Sequence, residues 1–176
     1  MDQSAIPVRY AKALFELSIE QNIEEEIYKD ITLINQVIAD NTDFMLALTS
    51  RAILQSDKIK ILKETIEPHV NKLTFRFLKH VIKKRREEFI LRIILEFIKC
   101  YNKRHDIIKV TVKSASTLTN EHVSKIKNII SEQTGKTPIM AYDVDKSLIG
   151  GYQVIIDDKF YDMSVKGMLN KIEKSF

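Results

Sequence analysis

The sequence predicts a mostly α fold: a six-helix bundle over residues 1–105, followed by a small α+β domain over residues 106–176. Three observations carry that expectation. Apolar residues recur at i, i+3, i+4 and i+7 through the first hundred or so positions, the signature of helices with one inward stripe. Four Gly and three Pro are few chain-breakers for 176 residues and argue against a many-turned β-sandwich. After Asp106 the pattern changes to alternation rich in β-branched residues. A hydrophobic share of 44% with 30% charged residues suits a chain that folds around a core.

Taken in order, Ile6, Tyr10, Ala13, Leu14 and Leu17 form the stripe of a first helix, with Pro7 in its first turn, where a missing N–H costs nothing. Ala11 and Ala13 are small enough to let another helix approach. Asn22 reads as the cap of a second helix carrying Ile23, Ile27, Ile31, Ile34 and Ile38. Asn41 or Thr42 caps a short third helix through Phe44, Leu46 and Leu48. Ser56 opens a fourth, with Ile59, Leu62 and Ile66 inward, and Pro68 stops it. The fifth carries Leu73, Phe77, Leu78, Val81 and Ile82. The sixth, residues 87–103, carries Ile90, Leu91, Ile94, Leu95, Ile98 and Tyr101.

Residues 107–112 read as a strand. Thr119 then starts a helix with Val123, Ile126, Ile129 and Ile130 inward, and Gly135 ends it. Residues 139–144 and 152–156 read as further strands, the second preceded by the break at Gly150-Gly151. Asp157-Asp158-Lys159 suits a hairpin turn into Phe160-Tyr161. A last helix over residues 164–174 closes the chain with Val165, Met168, Leu169 and Ile172 inward. A unit of about 70 residues builds a marginal core and often leans on a partner.

Several functions are excluded or left without a motif. The longest apolar run, Phe44-Met45-Leu46-Ala47-Leu48, falls far short of the about 20 residues a membrane span needs, so no direct membrane insertion is expected. Met1-Asp2-Gln3-Ser4 has neither a basic lead nor an apolar signal core, which suits an intracellular chain. Cys100 is the only cysteine, so no internal disulfide or multi-Cys metal site exists, and its apolar surroundings suggest a buried thiol. Gly135-Lys136-Thr137 ends like a phosphate loop, but Ile130 stands where the first glycine belongs. Asp143, Asp145 and Ser147 alternate as in a calcium loop, yet Leu148 and Val154 occupy its required Gly and Glu positions. His69, His80, His105 and His122 have no zinc spacing. No catalytic residue, metal or cofactor is expected. Net charge is +4 with both signs interspersed, and Lys83-Lys84-Arg85-Arg86 is the strongest basic run. It admits a helical adaptor for nucleic acid or anionic membrane, but Glu87 and Glu88 follow at once and no nucleic-acid motif accompanies it.

Three segments carry a resemblance. Val8-Arg9-Tyr10-Ala11-Lys12-Ala13-Leu14-Phe15-Glu16-Leu17 resembles the opening helix of the delta subunit family of bacterial F-type ATP synthases, which includes the mitochondrial oligomycin-sensitivity-conferring protein. Asp145-Lys146-Ser147-Leu148-Ile149-Gly150-Gly151-Tyr152 resembles that family's D-x-S-L-I-G-G segment. Asp162-Met163-Ser164-Val165-Lys166-Gly167-Met168-Leu169 resembles its D-x-S-V-[RK]-G-x-L segment at the expected separation. Residues 77–94, through Arg86, are similar to the fifth and sixth helices.

The resemblance implies a non-catalytic stator at the cytoplasmic face of a bacterial plasma membrane, held there through its partners. The first domain would take the N-terminal helix of an alpha subunit in a groove between the first and fifth helices, and the second would bind the b subunits. Tyr10, Ala13, Leu14, Leu17, Phe77 and Val81 are the expected groove residues, with bundle core as the competing reading. Leu148, Ile149, Gly150, Gly151, Asp162, Ser164 and Gly167 are expected to shape the second domain or face its partner. The glycine pair suits positive φ, and Asp162 or Ser164 suits a helix cap. No nucleic-acid partner is implied.

Overall fold

The structure, a computed structural model, describes residues 5–157 and 159–173, apart from the side chains of 172 and 173. Met1 to Ser4, Asp158 of the expected turn, the Ile172 side chain and Lys174 therefore lie outside the described residues. The chain is mostly helical, with one four-stranded sheet near its C-terminal end. It divides into two compact units, Met1–Tyr101 and Asn102–Phe176.

In the first unit α1 spans Ala5–Glu20, α2 Glu24–Asp40, α3 Thr42–Thr49, α4 Gln55–Thr65 and α5 Lys72–Lys83, and α6 spans Ile90–Arg104, its last residues falling past the boundary at Tyr101. Single 3-10 turns lie at Glu67–His69 and Glu87–Phe89. Leu14, Ile27, Ile31, Leu62, Leu78, Val81, Ile82 and Phe97 are fully buried and hold the helices together. Asn41 caps α3 by accepting from the Phe44 N–H at 3.2 Å, and Asn71 caps α5 through the Leu73 N–H at 2.9 Å.

Several expected details differ. Asn22 does not cap α2. It sits just past α1 at φ 55°, with its N–H on the Ile19 carbonyl and the Ile23 N–H on the Ser18 carbonyl. That is a Schellman stop, which asparagine tolerates because its short polar side chain suits the left-handed region. Ile23 takes the α2 cap position with no side-chain bond. Likewise α4 starts at Gln55 behind Leu54, not at Ser56. In α6 the buried stripe runs through Ile90, Ile93, Ile94, Phe97, Ile98 and Tyr101, leaving Leu91 and Leu95 exposed. Both flanks of that helix are apolar, and the one carrying Phe97 is held by its edge-on contact with Phe15, centroids 5.6 Å apart. Leu46 on α3 is also exposed.

The second unit comprises β1 (Ile107–Ser114), α7 (Asn120–Thr134), β2 (Thr137–Val144), β3 (Gly151–Ile156), β4 (Lys159–Ser164) and α8 (Val165–Glu173). Strand order is β2-β1-β3-β4, with β2 parallel to β1 and the other pairs antiparallel. The parallel pair needs the crossover that α7 supplies. Pro138 falls on edge strand β2, where its missing N–H breaks no central ladder. Ile108, Val110, Val112 and Val154 share one face of the sheet and pack with Ile126 and Ile130 of α7. Thr119 caps α7 by accepting from the His122 N–H at 3.3 Å, and Gly135 ends it at φ 66°. Ile129 is exposed instead of inward. So are Val165, Met168 and Leu169, which leaves α8 with an uncovered apolar face.

Candidate functional site

The feature of the first unit most suited to a partner is a cleft of about 640 Å³ between α1 and α5. Two neighbouring stripes of α1 explain it. Ile6, Ala11, Leu14 and Ser18 point into the core, and Tyr10, Ala13 and Leu17 lie one step round the helix on the cleft side. Ala11 is fully buried, so the small residue there sets close helix packing, while Ala13 is exposed. On α5, Leu73 and Phe77 line the same cleft.

Of the six expected groove residues, Tyr10, Ala13, Leu14, Leu17 and Phe77 come together around this cleft. Leu14 is its floor, with no exposure of its own, and Leu17 is 41% exposed. Val81 is not brought there: it is fully buried, because it follows Phe77 by one turn on the inward side of α5.

Tyr10 is fixed from several sides. Its ring meets Phe77 edge-on at 6.2 Å and His80 at 6.3 Å between centroids. Arg86 donates from Nη1 to the Tyr10 hydroxyl at 3.1 Å, with the guanidinium carbon 5.3 Å from the ring centre. Arg86 is thereby withdrawn from the basic run, leaving Lys83, Lys84 and Arg85 exposed. Glu87 is withdrawn too, since it pairs with the buried Lys58 of α4.

The α5 wall is anchored by a residue that sequence reading passed over. Asp30 of α2 is 9% exposed and accepts from the Asn71 N–H at 2.8 Å and the Thr74 hydroxyl at 2.6 Å. Its charge thus sits at the α5 N-terminus, where the helix dipole favours an anion. Its place among Ile27, Ile31 and Ile34 on the α2 stripe was the available signal, because an acid on an apolar stripe needs a buried partner.

In the second unit the two motif segments meet. Leu148 is buried, and Ile149 is 68% exposed at φ 68°. Positive φ falls on Ile149 and Gly151 (φ 74°), not on Gly150. A Cβ at Gly151 would overlap the Met163 carbonyl, so β3 and β4 approach there as only glycine allows. At Gly150 a Cβ would meet Val165 Cγ2 at 3.1 Å. The Ser164 hydroxyl accepts from the Gly167 N–H at 3.0 Å and so caps α8. Asp162 braces that cap, accepting from the Ser164 hydroxyl at 2.6 Å and the Ser164 N–H at 2.9 Å. Those bonds, the hydroxyl's first, hold the Asp162 carboxyl below its ordinary value of 3.8. A side chain at Gly167 would run into that carboxylate, 2.5 Å away.

Beside this turn a second cleft of about 580 Å³ lies between α7 and the β3–β4 hairpin, lined in part by Ile129, Tyr152, Tyr161 and Met163. Among the described residues no cluster of His, Cys, Asp and Glu is arranged to hold a metal ion, and no helix is long and apolar enough to cross a membrane. Cys100 is half-buried on α6.

Comparison with known proteins matches both units at once. The profile of the ATP synthase delta (OSCP) subunit family covers residues 6–176. ATP synthase subunit delta of Chlorobaculum tepidum is 34% identical over 167 residues, 95% of this chain and 92% of that one. The Carboxydothermus hydrogenoformans subunit delta is 32% identical over 175 residues, 99% of this chain and 98% of that one. The fold also matches a chain of the cryo-EM structure of the Toxoplasma gondii mitochondrial ATP synthase hexamer. There the TM-score is 0.78 at 17% identity, covering 97% of this chain and 96% of that one. With the match running from the first turn of α1 to the end of the sequence, the chain belongs to the ATP synthase delta (OSCP) subunit family.

Proposed function

We propose that the chain ties the catalytic head to the membrane-anchored part of the complex through a separate site on each unit. A member of this family is a non-catalytic subunit of the peripheral stalk of F-type ATP synthase. In our reading the six helices of the first unit act as one bundle at the crown of the head, and the α1–α5 groove takes the N-terminal helix of an alpha subunit. The second unit takes the ends of the b subunits, and the assembly lies on the cytoplasmic face of a bacterial plasma membrane. The task is mechanical. Rotor torque drives synthesis only while the head is prevented from turning with the rotor.

The observation that carries this reading is the split of α1 into a core stripe and a groove stripe, since Ala13 and Leu17 stay exposed beside a Tyr10 held in place by Phe77, His80 and Arg86. An amphipathic helix laid along them gains about 25 cal/mol for each Å² of apolar surface removed from water, before association costs. For the second unit, the support is its run of exposed apolar side chains: Ile149, Phe160, Met163, Met168 and Leu169.

Calorimetric titration of the full chain with the alpha N-terminal peptide of the same organism tests the groove. Stoichiometric binding with a negative heat-capacity change is expected. Ala13→Glu should abolish it while the circular dichroism spectrum stays unchanged, because Ala13 is exposed. Unaltered binding by that variant would overturn the groove assignment.

A further inference from the structure

The groove's rim is charged with one sign. Arg9 from α1 and Arg76, Lys79 and Lys83 from α5 border the apolar floor, with His80 beside them, and among the described residues no Asp or Glu lines it. With Lys72, the α5 cations are spaced four, three and four residues apart, which sets them in one row along the helix.

Lys83 in the last turn suits the helix dipole, but the rest of the row has no such local support. Like charges at i and i+4 repel each other, and Lys72 in the first turn opposes the helix dipole. Four helical lysines elsewhere in the chain do have an acid one turn away, in Lys29–Glu25, Lys60–Asp57, Lys99–Glu96 and Lys125–Glu121. No such partner meets Arg9, Lys72, Arg76, Lys79 or Lys83 among the described residues. With a net charge of only +4 on the whole chain, the rim is a local segregation and not a reflection of overall composition.

We propose that the helix this groove takes is acidic, an inference that rests on the groove being a helix-docking site and adds the chemistry of its occupant. One apolar stripe of the partner lies on Leu17, Leu73 and Phe77. Carboxylates on its flanks face Arg9 on one side and Arg76, Lys79 and Lys83 on the other. The apolar floor supplies most of the affinity. The rim speeds encounter and sets register, and it turns away helices flanked by lysine or arginine. Such contacts at the mouth of a cleft are solvent-exposed and therefore salt-sensitive.

The test uses the full chain and three peptide probes: the organism's own alpha N-terminal peptide, and two synthetic helical peptides of about 20 residues. The synthetic pair share one apolar stripe, flanked by Glu in one and by Lys in the other. The expected result is about tenfold tighter binding of the Glu peptide, with most of that advantage lost as NaCl rises from roughly 50 to roughly 500 mM. Arg76→Glu with Lys83→Glu, both at exposed positions, should reverse the preference. If that pair disturbs the helical spectrum, Arg76→Gln with Lys83→Gln should instead remove it.

Equal binding of the two synthetic peptides, with the alpha peptide still bound, overturns the acidic partner and leaves the groove reading standing. Failure of all three peptides overturns both. Preference for phosphatidylglycerol vesicles over the Glu peptide would make the rim a membrane contact and also overturn the inference.

Discussion

Asp162 shows how one side chain ties local chemistry to the shape of a whole unit. It accepts from both the hydroxyl and the N–H of Ser164, which frees the hydroxyl oxygen's remaining capacity for the Gly167 N–H. Because the folded carboxyl titrates below 3.8, its contribution to stability is fully present above that pH. It is lost as pH falls through the lower folded value. Urea midpoints of the full chain should therefore drop between about pH 5 and about pH 2, and Asp162→Asn should flatten part of that drop. Asp145 contributes in the same direction, since the Ser147 hydroxyl and N–H lower its carboxyl as well. An unchanged slope in the Asn variant would mean that the brace carries no pH-dependent stability. The D-x-S spacing of this cap was legible in the sequence. Placing positive φ on Ile149 and Gly151, and not on Gly150, was not, because backbone handedness depends on how β3 meets β4.

At the scale of elements, the end of α5 is instructive. The Arg85 N–H bonds the Ile82 carbonyl at 2.8 Å and the Arg86 N–H bonds the Val81 carbonyl at 3.1 Å, a Schellman stop with arginine in the left-handed position at φ 53°. A non-glycine residue is strained there, so Arg85→Gly should raise stability by roughly 0.5–1 kcal/mol in urea unfolding. A loss of stability would show that the arginine side chain offsets the strain. The stop also aims Arg86 back at Tyr10 and turns Glu87 toward Lys58. The basic run Lys83-Lys84-Arg85-Arg86 is thus divided between the groove wall and solvent, while the Glu87 that follows it enters a buried ion pair with Lys58. The helices themselves were legible, since burial at Ile27, Ile31, Ile34 and Ile38 follows the period. Which flank of α6 turned inward was not, because both flanks carry apolar residues and the choice rests on long-range packing such as the Phe15–Phe97 contact.

At the scale of the whole molecule, apolar side chains are divided unevenly between core and surface. The first unit buries much of its apolar side-chain surface and keeps the α1–α5 groove open. The second leaves Val165, Met168 and Leu169 of α8 uncovered, the last at 53% exposure. Leu169→Lys should shift the unfolding free energy by only about 0.5 kcal/mol, because little burial is lost. It should nevertheless abolish capture by the organism's b subunits in a pull-down. Retained capture would move the b contact away from α8, toward the α7 cleft.

The sequence by itself determined the helix and strand inventory, the order of the two units and the family, because periodicity and turn chemistry are local and the motif segments are contiguous. Tertiary structure alone decided which half of the α1 stripe is core and which is groove, why Val81 is buried, and how Asp30, Lys58 and Arg86 find partners. Each of those outcomes depends on residues far apart in the chain being brought within a few ångströms, and a one-dimensional pattern records the period of a side chain but not the neighbour it meets.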